Sequence, residues 1–199
     1  MSDNKKKKAI PKAKPSTIQQ LKVTLLDSNP PIWRRLRVPG NVTLEDLHYI
    51  IQWAMGWENC HLHRFGVRDA HYSANPCDLD MGEKPAQDFR LDQLGLSAGD
   101  AFGYVYDYGD NWEHGIEIEE ILPDEERISH AVCVAGERAC PPEDCGGLWG
   151  YYEFLEAIKD SNHEQHEEML DWIGGSFDPA GFDLQEVNRA LKSMQLKLA

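Results

Sequence analysis

The sequence predicts an α+β fold: a β-grasp-like mixed sheet with one packed helix, followed by a helical C-terminal subdomain. Three observations carry this. Alternating apolar and polar runs at about 18–26, 32–38 and 61–67, and again on both sides of Gly109-Asp110-Asn111, read as strands. One amphipathic stretch over 43–55 interrupts them. Beyond Pro123 the alternation gives way to three helical patterns. Strands first and helices segregated to one end is the order of an α+β chain.

The elements follow in turn. Ile18–Leu26 alternates and is stopped by Asp27-Ser-Asn-Pro-Pro31, which is dense turn chemistry. Ile32–Val38 is a second strand, closed by Pro39-Gly40-Asn41. Thr43-Leu-Glu-Asp46 has the pattern of a capping box, and Leu44, Leu47, Ile51 and Ala54 fall on one helical face. Gly56 stops that helix. A third strand is expected over 61–67, loop over 71–89, and a short helical turn over 91–100. Residues 133–150 read as irregular and rich in Cys and Gly. Helices are expected at about 150–160, from a capping box at Ser161–Glu164 to Gly174-Gly175, and from Asp183 to about Leu196. Asp178-Pro179 reads as a short helical start before the last. The organisation expected is a disordered tail at 1–16, a sheet domain at 18–122, and a loop and helical part at 123–199 packed on it.

The formal net charge is −14. Six lysines against Asp3 give the first sixteen residues +5, leaving −19 for the rest. So acidic a body repels phosphate backbones, so nucleic acid is expected only through the Lys tail. No apolar run approaches a membrane span, and Met1–Lys8 lacks the apolar region of a secretory signal, so the expected location is the cytoplasm. Five cysteines, an odd number, are expected as free thiols. The phosphate loop, the nucleophile elbow, the His-Glu-x2-His zinc motif and the dinucleotide glycine fingerprint do not occur. The sequence therefore discloses no reaction.

Candidate chemistry gathers around the hairpin Gly103–Glu120. Phe102, Tyr104, Tyr106, Trp112, His114, Ile116 and Ile118 share one face, and Glu113, Glu117 and Glu119 the other. Asp107, Asp110, Trp112 and His114 lie within eight residues. In a strand, His61 and His63 point to one face, and if that strand faces the hairpin, two or three imidazoles and a carboxylate converge. Such a set suits a divalent transition metal, zinc among them, or proton transfer. The same histidines also read as members of a polar core with Tyr104 and Tyr106. Cys133, Cys140 and Cys145 are a second candidate zinc set with His130 as candidate fourth ligand, although their spacing matches no zinc ribbon and buried structural thiols are the plainer reading. Arg34, Arg35 and Arg37 form a positive row expected to pair with surplus carboxylates. The acidic run Glu164, Glu167 and Glu168 reads as a solvated helix face.

Six ordered segments resemble the plasmid pRiA4b ORF-3-like family. They are Ile32-Trp-Arg-Arg35, Leu47–Trp57, His61–Phe65, Tyr106–His114, Cys140–Gly147 and Phe177-Asp-Pro179. The resemblance spans roughly 18–195. It implies a compact α+β domain in a soluble bacterial or archaeal protein, with no settled activity and no catalytic residues to carry over. The family's plasmid association implies a mobile-element role. The leading expectation is a ligand- or protein-binding domain, its cleft lined by His61, His63, Tyr104, Tyr106, Asp107, Asp110, Trp112 and His114, taking an unidentified protein or small molecule. The alternatives are a metal-dependent, hydrolase-like enzyme using His61, His63 and His114 with Asp107 or Asp110, and a nucleic-acid accessory protein acting through the Lys tail.

Overall fold

Alternation along the strands decides which face of the sheet is buried. In β1 (Thr17–Leu25), Leu21, Val23 and Leu25 are buried, while Lys22 and Thr24 on the opposite face are only half-buried. β2 (Ile32–Pro39) buries Ile32, Arg34 and Leu36 in the same rhythm. These features belong to a computed structural model of the chain, which describes residues 17–125 and 128–194. The Lys-rich stretch 1–16 lies outside the described residues.

The remaining strands are β3 (His63–Val67), β4 (Ala70–Ser73), β5 (Lys84–Pro85), β6 (Ala101–Tyr106), β7 (Trp112–Pro123) and β8 (Val132–Glu137). They form one sheet in the order β5-β4-β3-β6-β7-β1-β2-β8. Every pairing is antiparallel except β4 with β5. With five α-helices among the described residues, the class is α+β with a mixed sheet.

Helix α1 (Leu44–Met55) buries Leu44, Leu47, Ile50, Ile51 and Ala54. Its capping box forms as the sequence predicts: Asp46 N–H donates to Thr43 Oγ1, and Thr43 N–H donates to Asp46 Oδ2, both at 3.0 Å. Two donors that would otherwise be orphaned at the helix start are thereby satisfied. Gly56, at φ 91°, ends the helix in the left-handed region. The inward side chains of β1–β3 and β6–β8 join those of α1 in one core, each large aliphatic contributing roughly 1.5–3 kcal/mol by burial.

The later helices are α2 (Pro76–Asp80), α3 (Gly147–Lys159), α4 (His166–Ile173) and α5 (Leu184–Ser193). Tyr151 and Phe154 of α3 and Leu191 of α5 belong to the same core as the sheet. α5 packs against β8 and α1, and α4 against α3. No helix among the described residues is long and apolar enough to cross a membrane.

Several boundaries differ from the sequence reading. Residues 71–89 hold β4, α2, β5 and a 3₁₀ turn, not plain loop. Residues 132–137, expected as irregular from 133 on, form edge strand β8. Pairing with β2 orders it, and Asn188 of α5 bonds both the N–H and the carbonyl of Cys133. The capping box expected at Ser161–Glu164 does not form: Asp160 Oδ1 accepts from Asn162 N–H at 2.9 Å in a separate turn, and α4 starts only at His166. Asp178-Pro179 begins a turn and not a helix.

Candidate functional site at a three-loop junction

Three connections meet at one end of the sheet: residues 56–62 between α1 and β3, the β6–β7 tip at 107–111, and residues 138–146 between β8 and α3. Because Gly56 turns the chain sharply, Trp57 folds back under the helix. Its ring stacks on Tyr106 at 5.0 Å, and its Nε1–H donates to Pro141 O at 3.0 Å. Glu143 joins the same parts. One oxygen accepts the Tyr106 hydroxyl, and the other accepts Glu58 N–H at 2.7 Å. Burial, then the Glu143 carboxylate, push the Tyr106 hydroxyl well above its ordinary pKa. Asp110 Oδ2 accepts from Gly146 N–H at 3.2 Å. Gly147, at φ 69°, comes so close to the tip that a Cβ there would sit 2.5 Å from Asp110 O. Only glycine fits that approach.

His61 lies over the outside of this junction. Its Nδ1 is 3.7 Å from Asp107 Oδ2 and its Nε2 is 3.1 Å from Asp144 Oδ1. One ligand atom from each of the three lies within 4.8 Å of the others, and among the described residues no other His/Cys/Asp/Glu group does this. His61 precedes the first residue of β3, so it escapes the strand alternation that would have set it beside His63.

His63, Tyr104, Tyr106, Trp112 and His114 are buried beneath α1 and loop 56–62 and line no open cleft. The register places His63 beside Tyr106 and Tyr104 beside His114, so all share the inner face. His63 stacks on His48 of α1 at 3.4 Å with planes 6° apart, and its Nε2 lies 3.7 Å from Glu45 Oε2. His48 contacts the Tyr104 hydroxyl through Nδ1 at 2.8 Å and Asn59 Oδ1 through Nε2 at 2.7 Å. Gln52 Nε2–H donates to the same hydroxyl at 3.0 Å. Burial, then the neighbouring His63, lower the His48 pKa to about 3. Burial likewise lowers that of His114 to about 4. The carbonyl of Trp112, 2.9 Å from His114 Nδ1, can only accept, so that nitrogen carries the proton.

The ligand sets expected from sequence are therefore not assembled. His63 and His114 lie on opposite sides of Tyr104, and His61 turns to the loop carboxylates Asp107 and Asp144. Asp107 does meet His61, while Asp110 is taken up by Gly146. Cys133, Cys140 and Cys145 form no close ligand group with one another or with His130. Burial pushes the Cys140 and Cys145 thiols up to about 12, which keeps them protonated. The free-thiol expectation agrees with five unpaired cysteines.

An open groove of about 1230 Å³ runs from this junction between α1, α5 and residues 176–183. Its walls include Tyr49, Trp53, Phe177 and Phe182. A smaller depression of about 490 Å³ shares Met55, Trp57, Glu58, Cys140 and Phe177 with it and reaches Cys60, Glu143 and Asp144.

The family model described as "Plasmid pRiA4b ORF-3-like protein" matches residues 17–186. The chain belongs to the plasmid pRiA4b ORF-3-like family. Among proteins of similar sequence is the uncharacterized protein y4hQ of Sinorhizobium fredii (strain NBRC 101917 / NGR234), 38% identical over 188 residues, covering 92% of this chain and 95% of that one. The crystal structure of MM3350, a protein of unknown function from Methanosarcina mazei Go1, is similar with a TM-score of 0.79 and 37% identity, over 87% of this chain and 98% of that chain.

The six segments that carry the family resemblance are scattered from residue 32 to 179, yet each reaches the junction or the groove. Arg34, Trp57, Phe177 and Asp178 line the groove. Segments 61–65, 106–114 and 140–147 form the junction itself. Sequence reasoning missed His48, Asn59, Glu143 and Asp144. The last two sit inside the Cys140–Gly147 segment, where the cysteines drew attention from the carboxylates beside them. It also missed Tyr49 and Trp53, whose four-residue spacing on the outer face of a capped helix was a legible signal.

Proposed function

We propose that this member of the plasmid pRiA4b ORF-3-like family is a ligand- or protein-binding domain whose binding surface is the groove between α1 and α5. One observation carries the reading: the groove is large and open, and exposed aromatic side chains from α1 line it. Tyr49 is 40% and Trp53 45% exposed on a helix whose other face is fully buried. Concave aromatic surface beside a rigid scaffold is the usual setting of a binding site. The test is a thermal-shift screen of metabolites and peptides, repeated on Trp53→Ala. Ligands that stabilise the native chain and lose that effect in the variant support the reading. Ligands indifferent to Trp53→Ala would place binding elsewhere and end it.

A second reading, a metal-dependent enzyme of hydrolase type, is favoured by His61, Asp107 and Asp144. One imidazole and two carboxylates suit a divalent ion such as zinc or manganese. A bound ion would lower the pKa of a water ligand and supply a nucleophile. Elemental mass spectrometry of untagged protein purified without chelator tests it. About one equivalent of metal, lost in His61→Ala, is expected on this reading. No metal, or metal retained in the variant, removes it.

A further inference from the structure

We propose that the groove between α1 and α5 takes a lysine- or arginine-bearing peptide segment of a protein partner, an inference that rests on the groove being the binding surface. Its charged lining is almost wholly acidic: Glu58, Asp178, Asp183 and Glu186. The exception is Arg34, whose guanidinium is committed inside the wall. Its Nε–H donates to Ala54 O at 2.9 Å, and Nη1 donates to Trp33 O at 2.9 Å and to Glu137 O at 3.1 Å. The Phe182 ring covers it, 4.6 Å from the guanidinium carbon, and the residue is only 3% exposed. Among the described residues of the lining, an anionic ligand would meet four carboxylates and no available cation. A cationic ligand would meet the reverse.

The carboxylates are held ready. Asp183 Oδ1 accepts the N–H groups of Gln185 and Glu186 at the start of α5, which keeps its carboxyl below the ordinary range and leaves a second oxygen on the same group. Asp178 Oδ1 accepts from Ala180 N–H, which fixes that carboxylate in the 176–183 wall. Tyr49 and Trp53 add ring faces one helical turn apart. A guanidinium or ammonium against such faces, close to carboxylates, gains from both. The site's shape selects a chain over a small amine. At about 1230 Å³ the groove exceeds the usual drug-sized pocket of roughly 300–1,000 Å³, and it is open to solvent. The charge of −19 on residues 17–199 would steer a basic segment toward this surface from a distance.

The experiment is fluorescence polarisation on the full chain with a labelled ten-residue peptide alternating Arg or Lys with Gly and Leu. The controls are the same peptide with citrulline and norleucine in place of the cations, an acidic version, and spermidine as competitor. Binding is measured for wild type, Trp53→Ala and Asp178→Asn/Glu186→Gln, the last two positions being exposed, with circular dichroism melts to establish that each is folded. The cationic peptide is expected to bind at least about tenfold more tightly than the uncharged one, and to lose about tenfold in each variant. Equal binding of the uncharged or acidic peptide, still weakened by Trp53→Ala, would overturn the charge preference while leaving the groove as the binding surface. Peptide binding unchanged in both variants would overturn the groove as well. Spermidine displacing the peptide at a similar concentration would replace the peptide partner with a small polyamine and so overturn the proposal.

Discussion

At the scale of single residues, the buried imidazoles link the core to pH. His48 and His114 bind protons near 6.5 in an unfolded chain, but only near 3 and 4 in the fold. Between those limits the unfolded state holds more protons, so stability rises with pH and falls on acidification below about 6.5. Each histidine removes about 1.4 kcal/mol per pH unit across that window. Urea midpoints at pH 7.5 and 5.0 should therefore differ clearly, and the dependence should be shallower in His114→Leu. Equal midpoints at the two pH values would mean that these imidazoles are hydrated and not buried. Sequence could name the histidines but not their state. His61 and His63 are two residues apart, yet one meets Asp144 at 3.1 Å in the loop junction and the other stacks on His48 beneath a helix.

At the scale of elements, what is local was legible and what is lent by a partner was not. Thr43 and Asp46 announce the start of α1 because the capping bonds are made within four residues. Replacing Thr43 by Ala should cost about 1 kcal/mol, read as a lower thermal midpoint with the fold unchanged. No loss of stability would show that Asp46 caps the helix unaided. The β6–β7 hairpin was legible for the same reason, since both alternating runs and their turn are contiguous. β8 was not, because its order comes from pairing with β2, about a hundred residues earlier. The acidic run at the start of α4 is solvated as expected: Glu164 just before the helix and Glu167 and Glu168 in its first turn are exposed. The arginine row divides by face. Arg35 on the open face makes a two-pronged bond to Glu119 at 2.6 and 2.7 Å, whereas Arg34 turns inward and uses backbone carbonyls.

At the scale of the whole molecule, the sheet and the C-terminal helices share one core. Tyr151, Phe154 and Leu191 pack into the cluster built by the strands and α1. We therefore expect one cooperative unfolding transition, with calorimetric and van 't Hoff enthalpies in agreement. Two resolved transitions would mean that the helical part after residue 123 folds as a unit of its own. By itself the sequence determined the α+β class, the strand runs, the capped helix and an acidic chain rich in aromatic side chains, because period, capping and charge act over a few residues. Only the tertiary structure decided which of the motif residues became a site. His61 and Asp144 stand 83 positions apart and meet at 3.1 Å because loops 56–62 and 138–146 close over the same hairpin tip. What covers a side chain is a property of distant segments, and that cover turned most of the expected cleft residues into core and left the groove between α1 and α5 open.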